Sequence, residues 1–283
     1  MVSSFPLILT QNNRVDNSTY TYNFPYSVDL SNFEVALANC SLYYSWFSIS
    51  GQLNNNTFSF DFPSAATNIT YTVIIPDGTY QIEQLQNYLE YFMYNNGLYI
   101  SNNTTGEITY YIKLLANETA YKIQLISYPL PTSLPAGFTN GGGITFPTVS
   151  RQPQLIVPAT NFVDLIGFSA GTYPAAQNAS IYTQNGDLIP QISGGIQSII
   201  LNCNVVNNKY SSSNSQSIHV MTSAGVEFGS LVVSEPAEYN FVPCGVSSTS
   251  NITITFMDNY NRPLQINDPN LTIKLLLREK ELV

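Results

Sequence analysis

Residues 252–256 read Ile-Thr-Ile-Thr-Phe, and residues 271–277 read Leu-Thr-Ile-Lys-Leu-Leu-Leu. In both stretches every second position is apolar. Successive side chains of an extended strand point to opposite faces, so this period buries one face and leaves the other polar. The same pattern recurs outward along the chain. Tyr20, Tyr22 and Phe24 alternate with Thr19, Thr21 and Asn23, and Phe58, Phe60 and Phe62 with Thr57, Ser59 and Asp61. Ile69, Tyr71 and Val73 follow, and further runs fall at 33–49, 107–115, 119–127, 196–205, 217–221 and 229–234. Asn, Gly and Pro clusters bound these runs, which gives roughly a dozen or more short, half-buried antiparallel strands. The chain is all-β, and many short antiparallel strands of this kind close into a sandwich, a jelly roll or a barrel.

One segment departs from the period of two. After Pro76-Asp77-Gly78, Thr79 is placed to cap a helix of about 79–95, in which Ile82, Leu85, Leu89 and Phe92 share a face and Gly97 ends the run. An amphipathic helix of this length is expected to pack on its own fold. Residues 129–153, PLPTSLPAGFTNGGGITFPTVSRQP, are rich in Pro, Gly and Thr and read as a long loop or insertion, an element that often makes interactions. The expected organisation is a single domain over 1–283 with a loop-rich insertion around 129–190.

Composition narrows the function classes. Of 283 residues only 10% are charged, against about 25% in ordinary soluble domains, while 44% are hydrophobic and 13% aromatic. Asn, Ser and Thr take the place of the missing charges. Nine basic residues against 18 acidic give a net charge of −9. Nucleic-acid affinity comes from Lys and Arg on phosphates, so no direct nucleic-acid role is expected, and an anionic membrane surface is disfavoured for the same reason. Lys is too rare for codon bias alone to explain the Asn, Tyr and Ile content. Much of the surface is therefore expected to be covered by partners rather than by water. The start, MVSSFPLILTQNN, lacks a basic region, and no stretch nears the 18 or so apolar residues of a membrane helix, so neither a secretory signal nor membrane insertion is expected. About ten Asn-x-Ser/Thr sequons occur, as chance provides in such a composition.

Chemistry-bearing motifs are sparse. Gly167-Phe168-Ser169-Ala170-Gly171 has the form of a nucleophile elbow, with Asp187 and the only histidine, His219, following in hydrolase order. That mechanism needs a strand-to-helix turn in a layered α/β fold, and Thr172-Tyr173-Pro174 does not open a helix, so Leu165-Ile166-Gly167-Phe168 reads as packing and a turn. His219 reads as solvent-facing or at an interface. Cys40, Cys203 and Cys244 offer no disulfide framework, and with one histidine they offer no zinc spacing. Asp258-Asn259-Tyr260-Asn261 and Asn267-Asp268 are oxygen-rich turns that suit Ca²⁺, yet Asn and Asp are also default turn residues. Gly141–Gly143 lacks a following Lys-Ser/Thr and is no phosphate loop. Trp46 reads as core rather than a sugar platform. No catalytic residue, metal ligand or cofactor is expected.

Three stretches together carry a resemblance: LSNFEVALANCSLYYSWFSI at 30–49, IPDGTYQIEQLQNYLEYF at 75–92, and MDNYNRPLQINDPNLTIKLLLRE at 257–279. In this order they resemble the minor capsid (penton) proteins of virophages and Polinton-type viruses, and Leu165-Ile166-Gly167-Phe168 fits the mid-chain Leu-Gly-Phe of that family. By recognisable motif the resemblance covers roughly a third of the chain. It implies a single jelly roll in a non-enzymatic capsid subunit made in the host cytoplasm and resident in the virion. It also implies a homo-oligomer, a pentamer at the icosahedral vertex, partnered by the major capsid protein and other minor capsid proteins. The competing readings are a jelly-roll receptor- or glycan-binding spike module and, behind it, a hydrolase using Ser169. The tail Arg278-Glu279-Lys280-Glu281 is expected to be solvated.

Overall fold

The alternating stretch at 271–277 becomes a central strand paired on both sides. The computed structural model describes residues 4–209 and 216–280, and its contacts divide the chain into two compact units, one made of 1–46 with 196–283 and the other of 47–195. The stretch around 129–190, expected as a loop-rich insertion, lies wholly within the second.

Eight strands frame the first unit: β1 (Ser4–Thr10), β2 (Thr19–Val28), β3 (Phe33–Tyr43), β4 (Ile199–Cys203), β5 (Ser217–Met221), β6 (Leu231–Ser234), β7 (Thr249–Asp258) and β8 (Leu271–Glu279). One sheet runs β1-β8-β3-β6, with a two-residue strand Val242–Pro243 also on β3, and the other runs β5-β4-β7-β2. All pairings are antiparallel. First strand beside last and second beside seventh, in two four-stranded sheets, is jelly-roll order. The predicted all-β, antiparallel, jelly-roll-like class is what the chain adopts.

Alternation places Ile252, Ile254 and Phe256 of β7 and Leu271, Ile273, Leu275 and Leu277 of β8 in one buried cluster, each side chain contributing about 1.5–3 kcal/mol. On β3 the inward parity shifts. Val35 and Leu37 point in, then Cys40 and Leu42, because Lys274 faces Asn39 while Leu275 faces Leu37, leaving Ala38 as an extra residue in a bulge. Trp46 is fully buried and stacks on Tyr44 with ring centroids 4.3 Å apart, which bears out its reading as core.

The tail is a correction. Arg278 pairs with Glu34 at 3.0 Å and lies 3.7 Å over the Phe241 ring, and Lys280 Nζ donates to the Ser31 carbonyl at 2.7 Å. Strand register across β8 and β3 sets Arg278 opposite Glu34, which keeps the tail on its own unit. Glu281 lies outside the described residues.

The second unit has its own core. Its largest sheet joins the hairpin Thr57–Ser64/Thr67–Ile74 to Gln154–Val157 and Gly171–Tyr173. A second sheet sets Ile112–Asn117 and Tyr182–Asn185 on either side of Lys122–Ser127. Helix α1 spans Ile82–Asn95, later than the expected start at Thr79. Gly78 is bridged to Ile49, and Tyr80 N–H donates to Ser48 Oγ, so the chain stays extended to that point. Gln81 takes the cap, its N–H bonded to the Gln84 side chain at 2.8 Å. Leu85, Leu89 and Met93 are buried beneath α1, and Gln86 with them accepts the Leu114 N–H at 2.7 Å.

A second, short helix, α2 (Phe162–Ile166), occupies the stretch read as packing and a turn, and Gly167 closes it in the left-handed conformation at φ 73°. The glycine triplet is also tied down. Gly143 N–H bonds the Gly97 carbonyl and Gly141 N–H the Tyr99 carbonyl, and a Cβ on Gly143 would sit 1.9 Å from the Asn96 carbonyl oxygen. The long-loop segment is thus anchored against the end of α1 by backbone contact that only glycine permits.

Candidate functional surfaces

The residues of the hydrolase reading are committed elsewhere. Ser169 N–H donates to Asp187 Oδ2 at 3.0 Å, and that bond, first among several, holds the Asp187 carboxyl below its usual range. Lys122 Nζ donates to the Asp187 carbonyl, and Tyr173 OH to the Ser169 carbonyl. These bonds order a loop. No histidine lies in 47–195, the unit that holds Ser169. His219 sits on β5 of the other unit, half-buried, its Nε2 2.8 Å from Ser234 Oγ on β6. It clasps the edge strands of the two sheets rather than facing solvent, and burial pushes its pKa down.

The oxygen-rich turns are similarly occupied. Asp258 is buried, its Oδ1 accepts from the backbone N–H groups of Tyr260 and Arg262, and its Oδ2 accepts from Arg262 Nε at 2.7 Å. Asp268 Oδ1 accepts from Asn270, while Asn267 Nδ2 and Asp268 N–H hold Ser45. Both oxygens of Asp258 and Oδ1 of Asp268 are thus engaged within the turns themselves. Among the described residues no group of three His, Cys, Asp or Glu side chains comes together. Cys40 and Cys203 are buried with thiol pKa values pushed up to about 12, and Cys244 to about 11, by desolvation, so all three stay protonated.

What the first unit does present is two open edges. At one, β1 and β2 end their respective sheets and flank an apolar groove of about 480 Å³ lined by Phe5, Leu7, Tyr22, Phe24, Phe33 and Leu277. Phe5 and Ile8 are 58% and 52% exposed there. At the other, β5 and β6 end the sheets, and Val220, Leu231 and Val233 are 54%, 48% and 54% exposed. Edge strands with outward apolar side chains invite pairing unless blunted. The sequence carries the sign of this, although the alternation hides it. Leu231-Val232-Val233 and Leu7-Ile8-Leu9 are apolar at consecutive positions, so each strand has apolar side chains on both faces.

The second unit presents tyrosines. Tyr91 and Tyr94 project from α1 into solvent, and Tyr94 stacks on Tyr99 with centroids 4.9 Å apart.

These features define an all-β, jelly-roll-like chain with apolar and aromatic side chains on its surface. No protein-family model matches the chain, and no curated protein matches it. Among solved structures it is similar to the crystal structure of SeMet-labelled mavirus penton protein, with 9% identity, 99% of each chain covered and a TM-score of 0.46. A likeness at that level carries no argument about what this chain does.

Proposed function

We propose that this chain is a structural subunit of a virus capsid, of the vertex or penton type, with no enzymatic role. The observation that carries the reading is the jelly roll whose two edges turn apolar side chains to solvent: Phe5 and Ile8 on one, Val220, Leu231 and Val233 on the other. Contiguous apolar surface of this kind marks an interaction site, and a charge-poor chain suits burial against partners. The resemblance carried by 30–49, 75–92 and 257–279 gives the class. On this reading the subunit is made in the host cytoplasm, assembles as a ring of five, meets the major capsid protein and other minor capsid proteins, and resides in the virion. Native mass spectrometry of the purified chain tests it. A species at five times the 31.3 kDa chain mass is expected. A chain that stays monomeric at every concentration, and also fails to join capsids formed by a major capsid protein, overturns the reading.

The Tyr94–Tyr99 stack favours a second reading, a receptor- or glycan-binding module, since aromatic faces are the usual platform for sugar rings. Silence on a glycan array, with calcium present, removes it.

A further inference from the structure

We infer that the two open edges of the jelly roll are the two halves of one contact, in which the β5–β6 edge of one copy seats in the β1–β2 groove of the next. The inference rests on the assembling-subunit reading and adds which surfaces meet. The groove is concave and apolar, opening between the last strands of the two sheets. The opposite edge offers side chains that stand out from it, Leu231 and Val233 on β6 and Val220 on β5. Nothing blunts β6, which has neither charge nor proline within Leu231–Ser234.

Charge selects between the ways these edges could pair. Glu227, Glu235 and Glu238 flank β6, all exposed and none in an ion pair among the described residues. Joining two β6 edges would set these carboxylates against their own copies. The β1 side carries Lys274, exposed on β8 directly opposite Ile8 and likewise without an ion pair. Joining unlike edges sets the neighbour's Lys274 on the far side of Glu235 from the Lys274 of its own sheet, which lies two strands away across β3, whereas joining like β6 edges adds only carboxylates. Unlike edges on opposite sides of one sandwich make a head-to-tail contact, which gives a ring when its rotation closes and an open filament when it does not.

Mixing two half-dead copies tests this. Val233→Lys spoils the inserting edge and Phe5→Lys spoils the groove, and both positions are exposed enough that folding should survive. Equal thermal midpoints for the variants and the wild type, at a dilution where all are single chains, check that. Each variant alone is expected to stay at one chain mass. Their equimolar mixture should give a two-chain species and nothing larger, because one intact edge meets one intact groove once. A wild-type ring whose variants both keep full mass, or whose variants stay single chains when mixed, overturns the edge assignment and leaves the assembly reading standing. A wild-type chain that never assembles overturns both.

Discussion

The two units solve the same problem, burying a β-rich chain, in opposite ways. In the first, pairing is remote: Ser4–Thr10 lies along Leu271–Glu279, and Thr19–Val28 along Thr249–Asp258. In the second, pairing is mostly local, as in the hairpins Thr57–Ser64/Thr67–Ile74 and Ile112–Asn117/Lys122–Ser127. The first keeps a fully interdigitated core and leaves its strand edges open. The second packs helix α1 on its strands and seats glycines against backbone, and its sheet likewise ends in an open strand at Thr67–Ile74. Both leave apolar side chains outward, Ile74 at 62% and Ile189 at 67% in the second unit as well as Phe5 and Val233 in the first, so what differs is the range of the pairing and not the exposure.

The largest effects come from the two cores, which share no buried residue. Phe256→Ala and Phe60→Ala should each cost about 3–5 kcal/mol in urea titration. Hydrogen exchange should place the first loss in 199–203 and 252–256 and the second in 58–62 and 69–73. Equal loss of protection everywhere for either variant would break the comparison. Next is the glycine clamp. Gly143→Ala puts a methyl 1.9 Å from the Asn96 carbonyl oxygen and should cost about 1–3 kcal/mol. Gly51→Ala, whose Cβ meets only the end of the Asn56 side chain at 3.7 Å, should stay within about 0.5 kcal/mol.

A smaller effect tests how the first unit ties its tail. Glu34→Gln should cost about 0.5–1 kcal/mol, since the Arg278 pair is partly exposed and Arg278 keeps its seat over Phe241. The gap should shrink in 1 M salt. The smallest effect is the His219 clasp. Burial lowers the folded-state pKa of His219 below its ordinary 6.5, so the stability it contributes is present above that pH and is lost as pH falls through the folded value. The urea midpoint of the wild type should therefore drop on acidification below about pH 6.5. His219→Gln should flatten that step while leaving the carboxylate-driven fall at lower pH.

Much of this was legible in side-chain order, and the reasons for the rest are physical. Alternation at 252–256 and 271–277 announces strands because one face is buried. It says nothing about partners, so the jelly-roll order and the Arg278–Glu34 pair, both matters of register, stay hidden until the sheet is built. The unit boundaries fall at Trp46/Phe47 and Gly195/Ile196, where no polar linker marks them. Helix α2 is too short for a 3.6-residue period to show. Of the candidate surfaces, the doubly apolar faces of Leu7–Leu9 and Leu231–Val233 were readable, whereas the groove at β1 and β2 depends on residues far apart in the chain.

The interruption between β3 and β4 also has a consequence for manufacture. A ribosome adding about 5–20 residues per second needs roughly 10–45 s between finishing Tyr43 and reaching Leu271. For all that time β1 and β3 have been made without the strand that separates them, while residues 47–195 have every segment of their own core from residue 195 onward. The nascent chain therefore carries a complete second unit beside unpaired apolar strands, and protection of those strands would set the yield of folded chain more than the stability of either unit.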